Sequence, residues 1–129
     1  MGKGYLIDTC AVIKFLHSVF PLEGLSFLKS VVDRESILSV ITKIELLVYK
    51  FHTEKEEDIV SLFIFHSRII NLEEDIIINT IRIRKEYSIK LPDAIIAATA
   101  ITNDLVLISD NDKDFNKIPD LKYLNPKKI

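Results

Sequence analysis

The stretch Leu91-Pro92-Asp93-Ala94-Ile95-Ile96-Ala97-Ala98-Thr99-Ala100-Ile101-Thr102-Asn103-Asp104-Leu105-Val106-Leu107-Ile108 holds two elements of opposite character back to back. Pro92–Thr102 is alanine-rich and opens on proline, which suits a helix's first turn because the N–H it lacks would find no partner there. Leu105–Ile108 is an unbroken apolar run, as expected of a strand buried on both faces rather than one with a wet side. A helix feeding such a strand through a short turn is half of a βαβ unit.

The same alternation continues outward in both directions. Towards the N-terminus, Glu73–Glu86 reads as a helix by the spacing of Ile76, Ile77, Thr80 and Ile83, preceded by a strand at Ile69–Leu72. Before them come a helix from Glu54 to about Phe65 with acids at its start, and one from Thr42 to about His52 carrying Ile44, Leu47, Val48 and Phe51. Ser36–Val40 reads as the second strand. Leu25–Val32 is helical after breaks at Pro21 and Gly24, Ala11 to about Ser18 is helical, and Tyr5–Ile7 is the first strand, stopping at Asp8. Towards the C-terminus, a short turn or helix around Asp112–Asn116 precedes a fifth, edge strand at Leu121–Leu124. The expectation is a single α/β domain over residues 1–129, with a central parallel sheet of four to five strands and helices on both faces.

Composition narrows the class. The chain has 129 residues, 48% of them apolar and 28% charged, so it has material for one core and a soluble surface. Its apolar runs are far short of the ~20 residues that cross a bilayer. An acid arrives at Asp8 before a signal-peptide apolar region can develop, and position 6 is leucine where myristoylation of Gly2 would want Ser or Thr. The one cysteine, Cys10, excludes an internal disulfide and a cysteine-cluster metal site; it is expected to be a buried small residue. A reduced, cytoplasmic protein without a membrane segment is expected. A formal net charge of −2 excludes gripping nucleic acid by bulk charge alone, so any such contact needs a local patch or a cation.

In open α/β sheets ligands gather beyond the carboxyl ends of the strands, and acids from four places in this chain fall there. Asp8 follows the first strand, Glu45 stands in the first turn of the helix after the second, and Asp93 follows Pro92 in the helix before the fourth. Asp110, Asp112 and Asp114 follow the fourth strand. Each has a plain structural explanation: Asp8 as a helix cap, Thr42-Lys43-Ile44-Glu45 as a capping box, Asp93 as a first-turn acid, and Asp110–Asp114 as a solvated loop. Together they crowd negative charge into one crevice, which repulsion opposes unless a cation sits among them. An all-oxygen donor set suits Mg2+ or Mn2+. His17, His52 and His66 are scattered without ligand spacing, so zinc is not indicated.

These motifs resemble the PIN domain, and most closely the VapC-type toxins of bacterial and archaeal toxin–antitoxin pairs. The segments that carry the likeness are Leu6-Ile7-Asp8-Thr9, Glu45 in its helix, Leu91–Ala100, and Leu107-Ile108-Ser109-Asp110-Asn111-Asp112-Lys113-Asp114-Phe115; Pro92–Ala100 is the most specific of them. The resemblance spans essentially the whole chain. It implies a Mg2+- or Mn2+-dependent endoribonuclease acting on RNA and a cognate antitoxin that buries the site. Carried over residue by residue, it makes Asp8 and Asp93 principal metal ligands with Glu45 beside them, Thr9 and Ser109 supporting groups, and Asn111 and Asp114 counterparts of the family's loop. The fourth acid is a choice among Asp114, Asp112 and Asp110, in that order. Lys14, Lys43, Arg82, Arg84, Lys85 and Lys113 are candidate phosphate contacts.

Two other readings stand beside this one. A catalytically inactive PIN-like module that binds nucleic acid or protein would tolerate the irregular fourth acid. A phosphoacceptor receiver would want paired acids early in the chain, where Asp8 stands alone. The helices near Ile44–Phe51 and Ile59–Phe65 carry more large apolar side chains than one face needs, Phe51, Phe63 and Phe65 among them. These either pack the core or form a homodimer surface and an antitoxin groove.

Overall fold

The computed structural model describes residues 4–129, and strand and helix alternate along them. Strand β1 (Tyr5–Ile7) leads into helices α1 (Thr9–Leu16) and α2 (Leu22–Arg34), then β2 (Ile37–Ser39), α3 (Val40–Val48) and α4 (Glu54–Phe65). Strand β3 (Arg68–Ile70) follows, then α5 (Glu74–Glu86), α6 (Leu91–Thr102), β4 (Val106–Ile108), α7 (Asp112–Phe115) and β5 (Tyr123–Leu124). A 3-10 turn at Pro126–Lys128 closes the chain. The five strands form one parallel sheet in the order β3-β2-β1-β4-β5.

The unbroken apolar runs follow from a sheet with a core on each face. Leu6, Ile37 and Leu107 are in register across β1, β2 and β4, and pack against α5, α6 and α7. Their chain neighbours Ile7, Leu38 and Ile108 point the other way and pack against α1, α2, α3 and α4. Alternate strand residues face opposite sides, so both must be apolar when both sides are covered. Ala94, Ala97, Ala98 and Ala100 are buried in this core, and α6 approaches α5 most closely, since small side chains permit a short approach. Among the described residues no helix is long and apolar enough to cross a membrane.

The strand order positions the site. The chain runs from β1 outward to β3, then returns to place β4 on the other flank of β1. The segments leaving β1 and β4 therefore diverge, α1 to one face and α7 to the other, and open a crevice at their carboxyl ends.

Several local expectations are corrected. Gly24 is no break: it lies inside α2, where a Cβ would come within 2.2 Å of the Pro126 carbonyl oxygen. Helix α3 begins at Val40, capped by Ser39, whose Oγ accepts from the Ile41 N–H at 3.1 Å. Glu45 is thus in the second turn, and Thr42, wholly buried inside the helix, forms no capping box with it. The buried stripe of α3 is Thr42 and Leu46, while Ile44, Leu47 and Val48 are exposed. Helix α6 starts at Leu91, so Asp93 is its third residue, and β3 is Arg68–Ile70 rather than Ile69–Leu72. Phe51 and Phe63 are half-buried against the core of α1 and α4, whereas Phe65 is 78% exposed.

Candidate active site

Asp8 leaves β1 as the N-cap of α1, its Oδ1 accepting from the Ala11 N–H at 2.8 Å. The capping role and a chemical one coexist here. The carboxyl is only 6% exposed, and Ser109, wholly buried at the end of β4, bonds it with its hydroxyl. Burial pushes the Asp8 pKa up to about 7; the Ser109 and Ala11 bonds oppose that, and the charges of Asp110 and Asp93 add to it.

Asp93 is half-buried at the start of α6. Its pKa is raised by burial first, then by Asp114 and Glu45, with Lys90 pulling the other way. Asp93 therefore feels the charge of Asp114 and Glu45, and Asp8 in turn feels that of Asp93. Glu45 Oε1 accepts from the Thr9 hydroxyl at 2.5 Å, and Thr42 Oγ1 lies 3.1 Å from that hydroxyl. Asp114, in α7, accepts from Asn111 Nδ2 at 3.1 Å, while its own N–H donates to Asn111 Oδ1 at 3.3 Å.

Asp110 and Asp112 are held differently. Burial alone would raise the Asp110 carboxyl, but hydrogen bonds from Lys14 and Lys127 outweigh it and leave the pKa below the usual range. Asp112 is lowered to about 2 by Lys128, then by the Tyr123 hydroxyl at 2.6 Å and Asn125 Nδ2 at 3.2 Å. Both acids are thus neutralised by the chain itself. In contrast, among the described residues no lysine, arginine or histidine pairs with Asp8, Glu45 or Asp93.

Among the described residues no three Asp, Glu, His or Cys side chains already stand at the spacing that would enclose a metal ion. The Glu45 carboxyl is instead bonded to Thr9, and Asp110 to its lysines. The donors are nonetheless of the right kind. Asp8 and Asp93 have raised pKa values, lack a basic partner, and share a crevice with other carboxylates, so a hard divalent cation fits their chemistry. Sequence reasoning missed Thr42, as well as Lys127 and Lys128, which reach the acids only through the C-terminal fold. Cys10, expected to be buried, is exposed at the rim, where Asp8, Asp110 and Asp93 raise the pKa of its thiol beyond the effect of burial. His17 pairs with Glu56 at 3.3 Å on the α1–α4 side.

Comparison with known proteins supplies the remaining context. The family model described as the PIN domain matches residues 5–121. A toxin–antitoxin complex from Klebsiella pneumoniae contains a chain 33% identical, with 95% of this chain and 98% of that one covered and a TM-score of 0.73. FitAcB from Neisseria gonorrhoeae is 25% identical over 97% of this chain and 99% of that one, with a TM-score of 0.75. VapBC2 from Rickettsia felis, solved bound to a DNA fragment from its promoter, shares the fold at a TM-score of 0.78, with 22% identity over 94% of this chain and 97% of that one. Among curated proteins no sequence matches.

Proposed function

The chain belongs to the PIN-domain family, and from that premise we propose that it is a Mg2+- or Mn2+-dependent endoribonuclease, the toxin of a toxin–antitoxin pair. The observation that carries the reading is a group of mutually repelling acids at the β1/β4 switch point, of which Asp8, Glu45 and Asp93 have no basic partner among the described residues. Asp8 and Asp93 hold the cation, with Glu45 and Asp114 completing the set. Asp110 and Asp112 are support, since their lysines already satisfy them.

A divalent cation held by Asp8 and Asp93 would supply Lewis-acid chemistry, making a bound water more acidic and withdrawing charge from the phosphoryl oxygens. The chain's own groups do the rest. Ser109 and the Ala11 N–H fix the Asp8 carboxyl, and Thr9 fixes Glu45, so neither ligand must search for its place. Glu45 orients the attacking water and takes its proton. The water oxygen bonds to phosphorus, one bridging P–O bond breaks, and the departing oxygen is protonated from solvent. Single-stranded RNA is the substrate class, its splayed nucleotides being what such an open crevice admits.

The partner is a cognate antitoxin, and the protein works as a homodimer in the cytoplasm. Supporting this are the toxin–antitoxin complex to which the chain is 33% identical and the exposed apolar residues Ile44, Leu47 and Val48 of α3 with Ile59, Leu62 and Phe65 of α4. The deciding experiment is cleavage of single-stranded RNA with Mg2+ or Mn2+ by wild type, Asp8→Asn and Asp93→Asn. Each variant is expected to lose at least about 100-fold; equal activity in all three would mean a contaminating nuclease. An inactive binding module draws support from the absence of preformed metal spacing among the described residues. Calorimetric titration showing no divalent binding at millimolar concentration would favour that alternative.

A further inference from the structure

A cavity of about 600 Å³ opens between the α5–α6 connection and α7, with Arg84, Tyr87, Lys90, Lys113 and Lys117 in its walls. Asp114 is also a wall, so the cavity continues directly from the acid group. Four cations face one carboxylate here, in a protein whose net charge is −2.

These cations differ from the lysines nearer Asp8. Lys14, Lys127 and Lys128 are taken up by Asp110 and Asp112. Among the described residues Arg84, Lys90 and Lys113 have no carboxylate partner. The Arg84 guanidinium donates to the Ile89 carbonyl at 2.7 Å, which sets it into the wall while leaving its charge unneutralised. Lys117 donates to the Ser88 carbonyl at 2.9 Å and lies 3.6 Å from Asp114. Lys90 is near enough to Asp93 to lower its pKa, so positive charge reaches the edge of the acids.

We propose that this cavity is the subsite for the nucleotide next to the cleaved bond, its phosphate lying among Lys90, Lys113, Lys117 and Arg84. The proposal rests on the nuclease reading. Its physical basis is that the acids repel a polyanionic strand, so the strand needs anchorage beside them. The volume falls within the ~300–1,000 Å³ of small-ligand sites, room for one nucleotide, and Tyr87 offers a ring beside the base. Of the candidate phosphate contacts in the sequence, Arg84 and Lys113 are in the cavity, Arg82 is paired with Asp120 and Lys14 with Asp110.

The test measures anisotropy of a labelled single-stranded RNA oligomer in Mg2+, with every protein in an Asp8→Asn background so that the strand is not cut. Lys90→Gln with Lys113→Gln is expected to weaken binding about tenfold and to reduce the log–log salt slope by about 0.7, the share of the one phosphate no longer neutralised. Lys29→Gln with Lys55→Gln removes the same charge far from the cavity and is expected to leave the slope unchanged. Equal losses in the two pairs, or none in the first, would overturn the subsite. Displacement of the RNA by polyglutamate at equal charge would overturn its assignment to nucleic acid. A parallel cleavage assay on unmodified protein separates the two readings. Cavity-dependent RNA binding without cleavage sinks the nuclease and keeps the cavity only as a nucleotide-binding site, whereas cleavage with cavity-independent binding sinks the subsite alone.

Discussion

Two pairs of aspartates within one crevice, Asp8 with Asp93 and Asp110 with Asp112, have opposite electrostatic fates. The first pair sits at helix starts where burial and neighbouring acids push the carboxyls up, Asp8 to about 7. The second pair follows β4, Asp110 on the loop and Asp112 at the start of α7, where Lys14, Lys127 and Lys128 hold both carboxyls down. The side-chain chemistry is identical, so the difference lies in what the fold brings up to each. A carboxylate already neutralised by lysine has little to gain from a cation; one left beside other acids has much.

The largest effect expected from that contrast concerns the fourth acid. Asp114→Asn should cut RNA cleavage by about 100-fold, whereas Asp112→Asn should cost only a few-fold once folding is verified. Comparable losses in steady-state rates would erase the distinction between Asp112, hydrogen-bonded to Lys128, and Asp114, whose ion pair with Lys117 is longer at 3.6 Å.

Next in size is a stability effect of the opposite sign from the usual loss on mutation. Asp8 has a folded pKa of about 7 against 3.8 for a free side chain, so its charged form is disfavoured in the folded state. The penalty is absent below pH 3.8, grows between 3.8 and 7, and is complete above 7. Asp8→Asn removes it and keeps a competent helix cap. The metal-free variant should therefore melt above wild type at pH 7.5, by an amount on the order of 4 kcal/mol at most, and the gain should fade towards pH 4. Calorimetric melting in EDTA across that range checks it; a variant less stable than wild type at pH 7.5 would contradict the raised pKa.

The smallest effect reaches the second pair through the backbone. Gly24 lets α2 approach Pro126 closely, and the turn beginning there carries Lys127 and Lys128 onto Asp110 and Asp112. Gly24→Ala should force that turn away at a cost of about 1–3 kcal/mol. Carboxyl NMR titration should then show both aspartates rising towards ordinary pKa values, with Asp8 little changed. Unmoved titrations would mean that the turn does not set the lysines.

Much of the architecture was legible because its signal is local. Tyr5–Ile7 and Leu105–Ile108 read as doubly buried strands since only such strands need apolar residues on successive positions, and the structure has β1 and β4 there. Asp8 and Asp93 were readable as candidates from their places at helix starts, a position that depends on a few adjacent residues. The errors arose where a distant segment overrides a local preference. Gly24 reads as a breaker, yet it is helical because the C-terminal turn needs the space its side chain would occupy. Thr42 reads as a cap, yet it is buried in α3 beside Thr9, a contact spanning 33 residues. Likewise, the helical spacing of Ile44, Leu47 and Val48 left core and partner surface both open, and the fold leaves them exposed by turning Thr42 and Leu46 to the core.

By itself, then, the sequence determined the fold class, the strand positions and a set of acids near strand ends, because apolar periodicity and helix starts are written in neighbouring residues. Only the tertiary structure decided which of those acids stand without a basic partner. That sorting depends on lysines brought in from α1 and the last residues of the chain, and no local pattern encodes where a distant charge will come to rest.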